Sequence, residues 1–421
     1  MELEGLRVIA AIIVVFYHAA LIFYPGYFYG ANGTNPMFAP VQNIRFEDNL
    51  YQNPLSGLLS GTFAVGIFFV LSGFVLSIGY FKKRQSSVIV KMASKRYLRL
   101  MLPALASVMI AWLFISLGGA NIVKSAVAVT HSGWLAQLWR SPPDFFEAIW
   151  QGTVAVFTIG QVHYNPVLWT IHHELLGSLV VFGLALVFAT SRYRWVVYGA
   201  AIFVLANTWL LGFVLGMILA DLYVNYEKFY RILSSKFTYL LILAGVVVGG
   251  FPSGPVTSPL YKALIVSGYD GVQQLSFYTA IGATAVVAGA LAVPGLKRLL
   301  AHRSVSRFGK YTYALYLMHM PILFTVCTGV FLLALPIGFH KASLVAVIAA
   351  WVVLIPVTYM FERFIDAPSI RFSSYCADVF LGKRTLDVKA RLTQVRLYAT
   401  TKLAWMRRRK MSEIMPEIEM D

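Results

Sequence analysis

The sequence predicts an all-α membrane protein of about ten transmembrane helices with both termini cytoplasmic, and composition, run length and charge placement each point to it. Of 421 residues, 58% are hydrophobic and only 13% are charged. Mean hydropathy is +0.70, far from the balance of a water-soluble domain. Apolar runs recur along the whole chain, each of roughly 17 to 25 residues and so long enough to cross a hydrocarbon core of about 30 Å as a helix. Lipid cannot satisfy exposed backbone groups, so helices are the expected form.

The first span, 6–24, contains "LRVIAAIIVVFYHAALIF". It lacks a Lys/Arg-rich leader and a small-residue cleavage site, and reads as a retained helix rather than a signal peptide. The second, 57–80, runs into a basic segment from Lys82 to Arg99, and the third, 100–119, follows it. The fourth and fifth are read at 166–189 and 194–206, the sixth and seventh at 208–224 and 237–251, and the last three at 274–293, 311–335 and 342–361. Residues 194–224 read equally as one long tilted helix, which would reverse everything downstream. Basic residues decide the matter. With the amino terminus inside, two separate helices keep 30 of the 35 Lys and Arg residues cytoplasmic, whereas one helix would export either the linker 295–310 or the basic tail.

Two loops face outward, 25–56 and 120–165. In the second, an apolar piece near 148–160 is short for a crossing and reads as interfacial or re-entrant. Asn32-Gly33-Thr34 has glycosylation spacing. The chain divides into a membrane domain, 1–366, and a basic cytoplasmic tail, 367–421, which reads as a solvated helix lying against anionic lipid. Cys327 and Cys376 are too few and too differently placed for a disulfide framework or a metal site. The net charge of +17 sits at the membrane face, so no nucleic acid is expected. No internal repeat, Gly-x-Ser-x-Gly elbow, phosphate-binding Walker loop or dinucleotide fingerprint appears.

Ionisable residues inside apolar spans carry the functional argument, because each is costly unless it faces a cavity or a partner. Arg7 and His18 are eleven positions apart, which is about three turns and roughly 16 Å along one helix face. A neutral histidine is the natural general base for a hydroxyl acceptor. The competing reading is a histidine hydrogen-bonded to a neighbouring helix for packing alone. Arg96 and Arg99, in "KRYLR", share a face at i and i+3 and have the geometry to clamp phosphates, or simply decorate the cytoplasmic boundary. "NPVLWTIHHELLGSLVVF" carries His172, His173 and Glu174. The spacing lacks the His-Glu-x-x-His pattern of a zinc site. Glu174 lies about 12 Å into its helix and needs a cation, a proton or water; it either orients His18, as an acid does in acyl-transfer triads, or forms a structural ion pair. In "GKYTYALYLMHMPIL", Tyr313, Tyr316 and His319 share a face, for packing or for the site.

Together these pieces resemble the acyltransferase 3 family. "LEGLRVIAAIIVVFYH" is similar to its opening signature of Arg, ten residues, then His. "FFVLSGFVLS" with "KRYLRLMLP" is similar to its second helix and Arg-x-x-Arg element, "LWTIHHEL" to its Leu-Trp-(Ser/Thr)-x-x-x-Glu helix, and "YTYALYLMHMPI" to its late Tyr-x-x-His-x-Pro helix. The resemblance covers residues 3–366. It implies a ten-helix core that moves an acyl group, usually acetyl from cytoplasmic acetyl-CoA, to a hydroxyl of an extracytoplasmic carbohydrate or glycan, in a plasma or inner membrane and without a metal. Residue by residue it makes His18 and Glu174 catalytic, places Arg7, Arg96 and Arg99 on the acyl-CoA path, and leaves His173, Tyr316 and His319 as substrate-binding candidates. Glu4 stands where Asp is commoner, and His172-His173 where many members have other residues. The rival from another class is a transporter or flippase that uses the buried His and Glu as a proton relay.

Overall fold

The computed structural model describes residues 2–26, 52–227, 233 and 237–383. The chain divides into two compact units, Met1–Ser373 and Ser374–Asp421. The Asn32-Gly33-Thr34 tripeptide, most of the loop 25–56 and the tail beyond residue 383 lie outside the described residues.

Among the described residues the first unit is helical, with no strand. Its main helices are α1 (Glu2–Phe23), α2 (Gly61–Lys83), α3 (Ser86–Phe114, running on through a wide turn to Thr130), α4 (Phe145–Trp150, continuing to Thr158) and α5 (Trp169–Phe188). There follow α6 (Arg194–Leu205), α7 (Leu211–Asn225), α8 (Phe237–Gly249), α9 (Gly271–Ala292), α10 (Thr312–Ile322, continuing to Ala334) and α11 (Phe339–Phe361, continuing to Asp366). Each of the ten segments read as a span lies on a helix. Seven are long and apolar enough to cross a membrane, whereas α6, α7 and α8 have 12, 15 and 13 residues. Large apolar side chains stay exposed on the bundle's outside, Phe203 at 85% and Leu333 at 84%, as a lipid-facing surface requires.

Residues 206–210 turn, so 194–224 is two helices rather than one. Buried Asp221 of α7 holds the pair: it accepts from Arg194 Nε at 3.0 Å and from Tyr198 at 3.1 Å, both on α6, and from Asn225 at 2.5 Å. Small residues set the tightest packing. A Cβ on Gly73 of α2 would lie 2.0 Å from the Phe213 carbonyl oxygen of α7, and one on Gly216 of α7 would lie 2.1 Å from that of Val70. The two helices approach to backbone contact, the usual device for helix pairs in lipid.

The third span departs from expectation. The sequence reading begins it at residue 100 with Pro103 near its start, whereas α3 begins at Ser86 and carries Pro103 in its interior. Arg96 and Arg99 therefore lie within the helix rather than on its flank. Past Phe114 the helix widens, and Gly118, at φ 94°, lets the chain turn into Ala120–Thr130. The piece near 148–160 is the short helix α4, capped by Asp144, whose carboxylate accepts from the Glu147 N–H at 2.6 Å.

Candidate active site

Three arginines converge on one cavity of about 340 Å3. Arg7 comes from α1, and Arg96 and Arg99 from α3. Helical spacing explains why both α3 guanidiniums face inward, since residues three apart share a face. Each meets a carboxylate. Arg7 Nη1 donates to Glu4 at 2.9 Å, Arg96 pairs with Glu174, and Arg99 pairs with Asp366 from the segment that continues α11. Ser72 of α2 donates to Glu174 at 2.6 Å. The Arg99 guanidinium lies 5.1 Å from the ring centre of Tyr313. Lys310 and Glu362 complete the charged lining, so four cations stand against four carboxylates.

His18 is elsewhere. Its neighbour is His319 of α10, fully buried, with ring centres 5.0 Å apart. The tautomers follow from the partners. His18 Nδ1 lies 2.8 Å from the Val14 carbonyl oxygen and His319 Nδ1 lies 2.6 Å from that of Tyr316; carbonyls only accept, so both Nδ1 atoms carry the proton. His319 Nε2 then holds a lone pair and accepts from His18 Nδ1 at 3.2 Å. That leaves the lone pair of His18 on Nε2, the arrangement of a neutral base backed by an acceptor that strengthens once the ring is protonated.

The expected pairing of Glu174 with His18 is not formed. Among the described residues no hydrogen bond joins them: the carboxylate is committed to Ser72 and Arg96, and His319 occupies the partner position. The physical reason is depth, because Glu174 sits opposite Arg96, a full charge that outcompetes a neutral imidazole. Tyr316 lies between the two groups of residues. It lines the cavity, its hydroxyl meets Thr170 Oγ1 at 2.9 Å, and its ring centre is 5.6 Å from that of His319. His173 does not line the cavity. Its Nδ1 donates to the Trp169 carbonyl at 2.9 Å, and its ring packs beside Phe69 and Trp169. His172 turns to the Val156 carbonyl at 3.2 Å.

Several residues escaped the sequence reading. Asp366 lies among the basic residues that follow the last span, where an acid opposing them was the available signal. Asn165 is fully buried and donates to the Leu317 carbonyl oxygen at 2.9 Å. Pro321 has no N–H to offer that carbonyl four residues back, so Asn165 supplies the missing donor and braces α10 next to His319. Ser132 Oγ donates to the Leu21 carbonyl at 2.7 Å, tying the loop that carries Trp134 to α1; the Trp134 ring centre lies 5.6 Å from that of His18. Burial pushes the nearby Tyr164 phenol above its ordinary pKa, so it stays protonated and donates to the Asp144 carbonyl at 2.8 Å. Among the described residues no cluster of three His, Cys, Asp or Glu groups would hold a metal.

The bundle brings together a charged cavity and a histidine pair of which His319 is fully buried, and comparison with known proteins gives it a family. The chain belongs to the acyltransferase 3 family, whose model, described as an acyltransferase domain, matches residues 2–362. A curated relative, Acyltransferase R4 of Phoma sp., is 25% identical over 448 residues, covering 87% of this chain and 93% of that protein. No solved structure matches significantly. The chain is an enzyme of the acyltransferase class, embedded in a membrane.

Proposed function

We propose that the protein moves a short acyl group, acetyl in the simplest case, from cytoplasmic acyl-CoA to a hydroxyl of an extracytoplasmic carbohydrate or glycan. The observation that carries the reading is the connection of two half-sites through Tyr316, which touches both the three-arginine cavity and the His18–His319 pair. In this scheme all ten helices span the membrane, both termini are cytoplasmic, 1–366 is the working domain and 367–421 a basic tail, in a plasma or inner membrane.

The chemistry runs as follows. His18 Nε2 takes the proton of the acceptor hydroxyl, whose oxygen attacks the thioester carbonyl; the C–O bond forms, the C–S bond breaks, and the proton returns to the departing sulfur. His319 stabilises the transient imidazolium by accepting from His18 Nδ1. Arg7, Arg96 and Arg99 hold the CoA phosphates. Because each guanidinium has five N–H donors, Arg96 can keep Glu174 while adding a phosphate oxygen. Glu174 thus positions Arg96 rather than orienting His18.

Purified protein supplied with acetyl-CoA should release CoA when acceptor-bearing membrane extract is added. His18→Ala should lower that rate by at least about 100-fold, the size of a lost general base, with insertion unchanged. Full activity in His18→Ala would remove His18 from the mechanism, and a wild type that never releases CoA would favour the transporter or flippase.

A further inference from the structure

The cavity is graded from charged to apolar, and helix geometry gives its depth. Ser72 and Glu174 meet at one level, joined by a hydrogen bond of 2.6 Å. Four residues on from Ser72 toward the start of α2 is Phe68, and four residues on from Glu174 toward the start of α5 is Thr170. Both steps are about 6 Å at 1.5 Å per residue, and at that level α2, α5 and Tyr316 together supply the cavity lining. Beyond the Ser72 and Glu174 level no charged side chain lines it. Val65, Phe69, Thr170, Ile171 and Tyr316 are buried there, Phe68 is half-buried, and all six line the cavity. Hydrogen bonds and ring packing brace this wall. Tyr316 OH bonds Thr170 Oγ1 at 2.9 Å and the Val167 carbonyl at 3.2 Å, and the Phe68 and Tyr316 rings stand edge to face with centres 6.1 Å apart.

We infer that Phe68, backed by Tyr316, is the stop of an acyl subsite and sets the length of acyl chain that the enzyme accepts. The inference rests on the proposed use of acyl-CoA. The subsite is apolar, which suits a hydrocarbon and repels the phosphates held at the arginines. It is also short. An acetyl group lets the thioester carbonyl advance to Tyr316, the residue in contact with His319. A longer chain meets the Phe68 ring first and holds its carbonyl back toward Glu174. Phe68 is therefore a specificity-determining residue with no part in proton transfer.

The test is binding of two probes, acetyl-CoA and octanoyl-CoA, to the full-length protein in lipid nanodiscs, which needs no acceptor. The wild type should bind acetyl-CoA the more tightly of the two. Phe68→Ala removes the ring and should lower the ratio of the octanoyl to the acetyl dissociation constant by about tenfold or more, in line with burial of newly admitted methylenes. Phe68→Leu, a gentler change in case the Ala variant fails to fold, should move the ratio in the same direction by less. An unchanged ratio in a variant that still binds acetyl-CoA overturns the stop, and so does equal loss of both probes in a folded variant. A wild type that binds neither probe overturns instead the acyl-CoA reading on which the inference rests.

Discussion

At the scale of single residues, the chemistry depends on which partner each buried polar group has. His18 Nδ1 donates to the Val14 carbonyl and to His319 Nε2, and the second of these acceptors is the one a side-chain substitution removes. His319→Phe should therefore cost about tenfold in CoA release, less than loss of His18 itself, and the double variant should be no slower than His18→Ala, because the two act as a unit. The Arg96–Glu174 pair makes a second prediction. Both side chains are largely buried, with 16% and 14% exposed, and removing one partner strands a charge at a cost of about 3–5 kcal/mol. Glu174→Leu alone should lower the melting temperature sharply, and adding Arg96→Met should restore much of it. The double variant should still fail to bind acetyl-CoA if Arg96 is a donor ligand, a split that a purely structural pair would not show.

At the scale of elements, the late helix α10 is a helix with a fault, repaired from another segment. Pro321 orphans the Leu317 carbonyl, and Asn165 fills the gap. Asn165→Leu should destabilise by about 1–3 kcal/mol, the cost of a buried carbonyl without a donor, and should slow CoA release by shifting His319, with little change in acetyl-CoA affinity. The α2–α7 contact depends on glycine for a different reason, the absence of a Cβ. Gly216→Leu would drive side-chain atoms into the Val70 backbone, and overpacking of this kind costs about 1–3 kcal/mol or more; a fall in detergent-extracted thermal stability would report it. The length of α3 belongs here too. Its apolar centre was legible in the sequence. Its extension back to Ser86 was not, because a basic amphipathic stretch gives no hydropathy signal, although it is what carries Arg96 and Arg99 into the bundle.

At the scale of the whole molecule, the distribution of basic residues makes a topology that a labelling experiment can check. In right-side-out vesicles, a membrane-impermeant thiol reagent should label a cysteine introduced at exposed His131 and spare one introduced at exposed His302, in a chain with Cys327 and Cys376 replaced. Labelling of position 302 alone would reverse the proposed orientation, and labelling of both would overturn the five spans proposed between them.

The sequence by itself determined the class and the apolar centres of the helices, because hydropathy is a sum over local residues. It also singled out candidates, Arg7, Glu174 and His319 as ionisable groups in or beside apolar runs and Arg96, Arg99 and Tyr316 by their helical spacing. Who touches whom was not legible there. Glu174 was expected beside His18, and the fold gave it to Arg96 and gave His18 to His319; Asp366 and Asn165, unremarkable in the chain, became partners of Arg99 and of the Leu317 carbonyl. Partner choice depends on the depth and rotation of helices far apart in sequence, which backbone packing at Gly73 and Gly216 and the fault at Pro321 fix together. Only the tertiary structure decides such distances, because hydrogen bonds and ion pairs are settled over a few ångströms that no local pattern encodes.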